Sequence, residues 1–432
     1  QLELINWHKG NKDTRTVLAG TPNAIDSFPY LSNGDGIGKY YWLQSHDLNG
    51  MGQTYTPIAE YYDTSTDNNN GNLYGWFGGS YDGADYVIEN VSIEGQKASC
   101  AGLFGVVYNG TLKNIILYDS RGTGVIRSGH YPNTQTRWYA TGALAGLAAV
   151  DKRDSSKGKV ENCAVAGYII DAQVHNASKS GWGGTGIGGL FGLSNMQLTN
   201  CSAVTDIIIP KNAVDNDNMR VGGLVGSCQQ TIENCYAGGS IQINAEVSIN
   251  NNKGVYIGGI VGGSYMKPLK INENTTEIIG YRDDNDGRTN NALTNCYSFV
   301  ELPAQTAHKR LGALYALGGT GEIVSKGGTA ANHGDCTITN CYYLDSVLVN
   351  NNGTIPTTGV KTDIYVANEG GNTILNGGQP TLRPNVTNQA YRQLAGDDIY
   401  TRLPAFAPVT KTEAGFPVPG KYSYAPSARK DL

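Results

Sequence analysis

Charge is scarce in this sequence, charged residues making up only 16% of its 432 positions. Lys, Glu and Met, the residues that favour helices, are few, with Met numbering 4, so a mostly helical protein is excluded. No apolar run approaches the roughly 18 residues of a membrane-spanning helix. The richest windows, Leu103–Tyr108 and Ala143–Val150, are short and broken by Gly, so no transmembrane segment is expected. An excess of positive charge is missing too. With 32 Lys and Arg against 37 Asp and Glu, the net charge of −5 offers no broad electropositive surface to a nucleic-acid backbone or an anionic membrane. The sequence opens at Gln1 rather than Met, as expected where a leader or anchor has been removed, which permits export.

What is abundant is Gly, Asn and Tyr. The 58 Gly are about 13% of the chain, against roughly 7% in average usage. They accompany 41 Asn and 27 Tyr, a strand-and-turn composition. Hydrophobic residues at 39% suffice for a core, so wholesale disorder is not expected. The length accommodates either several domains or one long repeat domain.

A repeat is present. The phrase Ile/Leu/Val-x-Asn-Cys recurs at Val160–Cys163, Leu198–Cys201, Ile232–Cys235, Leu293–Cys296 and Ile338–Cys341, with earlier forms lacking Cys at Ile88-Glu89-Asn90-Val91 and Leu112-Lys113-Asn114-Ile115. Asn90, Asn114, Asn162, Asn200, Asn234, Asn295 and Asn340 thus share one position, and Cys163, Cys201, Cys235, Cys296 and Cys341 share the next. A second phrase, Gly/Ala-Leu/Ile-x-Gly, precedes most copies at Gly102–Gly105, Ala143–Gly146, Gly189–Gly192, Gly223–Gly226 and Gly259–Gly262, and in degenerate form at Ala313–Ala316. From its Leu or Ile to the following Asn the steps are 11, 18, 10, 10, 35 and 26 residues, a ten-residue core with insertions. The insertions Asp151–Lys159, Gly263–Asn291 and Leu317–Cys336 read as loops leaving the scaffold from one recurring place.

Apolar periodicity identifies the scaffold. Leu198 precedes Asn200 on even parity, whereas Cys201, Ala203, Ile207 and Ile209 follow on odd parity, and Ile232 and Asn234 repeat the change. A period of two means strands, and a phase change at one residue means that the strand turns a corner there. Asn tolerates the left-handed conformation of such corners. Strand, corner and strand repeated without hairpin signals predict stacked parallel coils, with an Asn ladder, an inward file of Cys and tight bends at the Gly-Leu phrases. An antiparallel sandwich array would require regular two-residue turns instead.

The ordered series Tyr40-Tyr41-Trp42-Leu43, His46–Gly50, Tyr55–Ile58, Trp76–Gly83, Tyr86–Val91, Gly102–Gly105 and Gly110–Asn114, followed by Gly-Gly-Leu-Val-Gly and Ile-Glu-Asn-Cys-Tyr-Ala phrases and Asn340–Leu344, resembles GLUG-motif repeat proteins. These are secreted or surface-attached bacterial proteins common in gut Bacteroidetes. The resemblance covers Tyr40 to Leu344. It implies an all-β, single-stranded right-handed parallel β-helix (a β-solenoid) with N- and C-terminal capping segments. Residues 1–39 are then the cap or lead-in, 40–349 the β-helix with loop insertions, and 350–432 a C-terminal cap and Pro-rich tail; outside the resemblance, the residues Asn388–Ala395 read as a short helix. The resemblance further implies an extracellular or cell-surface location and an adhesin-like scaffold.

Chemistry is harder to find. The six His (His8, His46, His130, His175, His308 and His333) have no second His or Glu at zinc spacing, and the metallopeptidase signature of some GLUG proteins is absent. Gly181–Gly186 formally matches a dinucleotide fingerprint, but no helix is expected after it. Asp283, Asp284 and Asp286 bring hard oxygens together, a calcium candidate lacking the downstream Glu of a helix-loop-helix site, and a solvated loop tip explains them as well. Arg121, Arg127, His130, Arg137, Trp138 and Tyr139 in the stretch Asp119–Thr141, with Trp182, are candidates for stacking on and charge-pairing with a ligand; packing of loop on coil is the bland alternative. The outward positions Tyr236, Gly238, Ser240, Ser202, Val204 and Asp206 form no acidic file of the kind a polysaccharide lyase or glycoside hydrolase needs. The expectation is a monomeric, non-enzymatic binding scaffold for a carbohydrate or an extracellular protein, with a polysaccharide-active enzyme and a structural stalk as alternatives, and no cofactor.

Overall fold

The computed structural model describes residues 41–44, 46–59, 76–84, 86–95, 100–128, 139–150, 158–172, 185–209, 219–243, 255–263, 291–294 and 296–303, and the backbone of short strands elsewhere. Every element among the described residues is a β-strand. Four sheets carry the repeats. Sheet I contains the strands that end just before the recurring Asn, among them Thr111–Lys113, Lys159–Glu161, Gln197–Thr199, Thr231–Glu233 and Asn291–Thr294. Sheet II contains the strands that follow, among them Ile116–Tyr118, Ala164–Asp171, Ser202–Ile209, Tyr236–Ile243 and Tyr297–Glu301. Sheet III runs through Cys100–Ala101, Tyr139–Thr141, Thr185–Gly188, Met219–Gly222 and Val255–Gly258; sheet IV runs through Phe104–Tyr108, Ala145–Ala149, Phe191–Ser194, Val225–Cys228 and Val261–Gly263.

Within each of these sheets every strand pairs in parallel with its equivalent one repeat away. The chain therefore passes through sheets III, IV, I and II and returns to III one strand further along, a solenoid-like winding. Identical registers align identical residue types: Leu112, Val160, Leu198, Ile232 and Leu293 face the interior in one file. All five are at most 1% exposed.

The corner between sheets I and II is built on Asn114, Asn162, Asn200 and Asn234, each with φ 54°. Their side chains form a continuous ladder: Asn162 Nδ2 donates to Asn114 Oδ1 at 3.1 Å, Asn200 to Asn162 at 3.1 Å and Asn234 to Asn200 at 3.2 Å. All the amides donate in the same direction, and the last donor, Asn114, meets the carboxylate of Asp82 at 2.9 Å, which also pairs with Lys113 at 3.0 Å. An aligned stack of amide dipoles thus ends on an anion at its positive end, by the logic that favours carboxylates at helix N-termini. Asn90, which the phrase groups with the ladder, stands elsewhere. It follows the sheet II strand Val87–Glu89, has φ 56° and accepts hydrogen bonds from Ser120 N at 3.1 Å and Ser120 Oγ at 2.9 Å. Asn295, Asn340 and Cys341 lie outside the described residues.

Cys163, Cys201, Cys235 and Cys296 are wholly buried. Each thiol donates to the carbonyl two residues earlier, at 3.3, 3.2, 3.1 and 3.3 Å respectively. Position and chemistry agree: a small apolar residue is needed inside the corner, and S–H supplies a donor to a buried carbonyl that Ala lacks. None of the six described thiols, Cys100 and Cys228 included, is in a disulfide. Sheets III and IV approach within backbone contact at Gly146, Gly192, Gly226 and Gly262, each the last Gly of its phrase; a Cβ on Gly146 would lie 2.5 Å from Ala140 O, and one on Gly226 2.2 Å from Ile187 N. Only Gly fits there.

Two kinds of connection carry the variation in length. Between sheets IV and I the chain uses only residues 109–110, 195–196 and 229–230 in three coils, but 150–158 and 264–290 in two others. Between sheets II and III lie residues 128–138, and further connections whose strands His175–Ala177, Val214–Asp215 and Ser248–Ile249 stack into a small sheet of their own. The insertions Asp151–Lys159 and Gly263–Asn291 therefore leave the coil at one corner, between sheets IV and I, whereas the stretch Asp119–Thr141 leaves it at another, between sheets II and III.

Two outcomes are expected from this arrangement. Asn200→Ala removes two ladder bonds and puts a Cβ without compensation in the left-handed region, costing on the order of 1–3 kcal/mol. Asn200→Gly loses the bonds alone and costs about 1 kcal/mol less in denaturant unfolding; equal costs would contradict the corner geometry. Burial pushes the Cys228 thiol up to about 12 and holds Cys235 well above its usual range. The folded state keeps these thiols neutral, while the unfolded chain ionises them near pH ~8.5. Their contribution is therefore complete below that pH and is lost as pH rises toward the folded values. Unfolding free energy should fall above about pH 9, and Cys228→Ala should reduce the slope by about 1.4 kcal/mol per pH unit; an unchanged slope would refute the assignment.

Candidate functional site

The described part of the Asp119–Thr141 stretch is organised by ion pairs on the outer side of sheet II. After the strand Ile116–Tyr118 the chain makes a turn at Asp119, whose Oδ1 accepts from Arg121 N at 2.8 Å. Arg121 closes a two-pronged contact on the same carboxylate, Nε to Oδ1 at 3.1 Å and NH2 to Oδ2 at 2.8 Å. The Asp119 side chain is 0% exposed and that of Arg121 40%. Space for the pair is left by glycines: a Cβ on Gly124 would lie 2.2 Å from Asp119 Oδ2, and one on Gly52 2.2 Å from an Arg121 nitrogen. The hydrogen bonds that Arg121 donates to Asp119 hold the guanidinium above its already high range. Beside it the buried Tyr168 hydroxyl is raised well beyond the usual tyrosine value, by burial first and the Asp119 charge second.

One strand further on, Arg127 stands in register between Glu94 and Asp171. Its Nε and NH2 each reach Asp171 Oδ2 at 2.8 Å, and NH1 lies 3.7 Å from Glu94 Oε1. Arg121 and Arg127, two of the three arginines expected to pair with a ligand, are thus engaged by carboxylates of the coil itself. Their arrangement fastens the root of the connection 128–138. Tyr139, expected as a stacking platform, is instead 2% exposed and packs in the main core, because the strand Tyr139–Thr141 turns its ring inward. That corrects its assignment as a ligand contact. His130, Arg137, Trp138, Trp182, Asp283, Asp284 and Asp286 lie outside the described residues.

Sequence reasoning missed Glu94, Asp119 and Asp171 as partners. Asp119 is visible two positions before Arg121, the spacing of a side-chain turn. The pairing of Arg127 with Asp171 is hidden, because the turn at residues 119–123 and a left-handed Gly167, φ 80°, put the two at different distances from their corner Asn. A smaller polar group lies on the same face, where Ser240 Oγ and Asp206 Oδ1 are 2.8 Å apart and Gln242 Nε2 donates to Ser240 Oγ at 3.4 Å. Among the described residues no three His, Cys, Asp or Glu side chains form a metal-holding group. No described helix is long and apolar enough to cross a membrane.

No protein-family model matches the sequence, and no curated protein matches it. Solved structures similar to the chain include a candidate immunoglobulin A1 protease from Bacteroides ovatus, 16% identical with a TM-score of 0.45, over 91% of this chain and 88% of that one. An IgA1 protease is 13% identical with a TM-score of 0.34, over 72% of this chain and 20% of that one. Likeness at this level assigns no activity.

Asp119→Ala removes the buried carboxylate and leaves Arg121 without its fork. The expected loss is about 1–3 kcal/mol, at the lower end because Arg121 is partly solvated. Limited proteolysis should then cut within 128–138 at a lower protease concentration than in the parent chain. Unaltered cleavage would show that the pair does not fasten this connection.

Proposed function

We propose that the chain is a secreted or cell-surface bacterial binding scaffold of the GLUG-repeat type, a single-stranded right-handed parallel β-helix that presents its insertions to a carbohydrate or an extracellular protein. On this reading it acts as a monomer, without a cofactor and without catalysis. The observation that carries the proposal is the independence of coil and insertion. Residues 264–290 separate two coils, yet Ile232 pairs with Leu293 and Glu233 with Thr294 in the same register that joins coils linked by two residues. That insertion has an antiparallel hairpin of its own, Leu269–Ile271 with Ile278–Gly280. Coil positions are occupied by packing, ladder bonds and internal ion pairs, so the freedom to recognise another molecule resides in the connections.

The test is a chain in which 264–290 is replaced by Asn-Gly, the connection used at Asn109 and Gly110. It should keep its thermal midpoint within a few degrees and lose at least tenfold in affinity for the ligand that a glycan-array and matrix-protein screen identifies for the parent. A second variant shortened at 128–138 covers the other candidate connection. Full binding by both variants would contradict the proposal. So would turnover of a polysaccharide or a peptide, immunoglobulin A1 included, that one carboxylate substitution abolishes.

A further inference from the structure

The inward thiols of successive coils form a column that packing alone does not exhaust. Cys163, Cys201, Cys235 and Cys296 follow one another at one corner position, each 0% exposed and none in a disulfide. Strand register places the Cys201 thiol between those of Cys163 and Cys235 in successive coils, since Ser202 pairs with Ala164 on one side and with Tyr236 on the other. Cys235 Sγ also accepts from Cys201 N at 3.3 Å. Leu198, Ile232, Ala203 and Ala237, all at 0% exposure and all in the same core cluster, belong to the coils that carry these two thiols.

We propose that adjacent thiols of this column, Cys201 and Cys235 foremost, bind a soft d10 cation such as Cu(I), Ag(I) or Hg(II) in two-coordinate, linear geometry. Parallel strands repeat every ~4.7–4.9 Å. Two metal–sulfur bonds of ~2.3 Å placed end to end span about 4.6 Å, so one ion fits between sulfurs one strand apart with only side-chain adjustment. A tetrahedral zinc site needs three or four converging donors, and no such group of three exists among the described residues. Thiolate ligands select soft cations. Charge completes the argument, because a wholly buried site disfavours any net charge. With a monovalent ion one S–H bond breaks, that sulfur binds as thiolate, its partner binds through a lone pair as the neutral thiol, and one proton leaves. With a divalent ion both S–H bonds break and two protons leave. No electron is transferred in either case, and entry requires local opening between coils, so uptake is slow.

The reduced, folded chain is incubated with Ag(I), Hg(II) or Zn(II), freed of unbound metal by gel filtration and analysed for retained metal, with proton release followed in weak buffer. The expected result is retention of Ag(I) and Hg(II) with one and two protons released per ion, and no retention of Zn(II). Cys201→Ala with Cys235→Ala leaves no two adjacent thiols among the described members of the column and should lower retention by at least one ion per chain. If that variant does not fold, Cys163→Ala with Cys296→Ala preserves the central pair and must still retain one ion there. Equal retention by the parent and the Cys201/Cys235 variant, no retention by the folded parent, equal retention of Zn(II), or loss of the ion from the Cys163/Cys296 variant would each overturn the proposal.

Discussion

A parallel stack of coils must turn the same corner at the same residue in every layer, or the registers of two sheets fail together. In this chain that constraint is met by an Asn in the left-handed region whose side chain bonds to the Asn of the next layer. The backbone bond from Asn200 N to Glu233 O at 3.0 Å, and its equivalents from Asn162 and Asn234, run beside the side-chain ladder. Amide, carbonyl and thiol are therefore satisfied together at each layer, with the thiol buried and the Asn half-buried. A slip by one residue would turn Leu198 and Ile232 outward and Thr199 and Glu233 inward.

Much of this is legible in the residues. The alternation of apolar positions, its change of phase at Asn and the return of Cys after it correspond to the inward files seen at Val160, Leu198 and Ile232 and at Cys163, Cys201 and Cys235. What escaped the pattern has physical causes. At the start of the ladder Asp82 supplies the acceptor that Asn supplies elsewhere, so a search for Asn selects Asn90, which serves a different bend. Tyr139 sits beside polar residues in the sequence, but its strand pairs with Thr185–Gly188, and that pairing decides which way the ring turns.

The candidate site was less legible than the fold because its charges neutralise one another across coils. Arg127 looks available until Glu94 and Asp171 are brought beside it from strands remote in sequence. Such pairs contribute little individually at a surface. Fixed by strand register, they hold the ends of a connection in place while its middle varies. A scaffold of this kind separates the residues that stack from those that meet other molecules.

The claim on which the account rests is that corner Asn residues of adjacent coils act as one unit. A double-mutant cycle on Asn162→Gly and Asn200→Gly, read by denaturant unfolding, isolates their interaction from the corner conformation, which Gly retains. A coupling of about 0.5–1.5 kcal/mol is expected between the two positions. Effects that add within ~0.3 kcal/mol would contradict it.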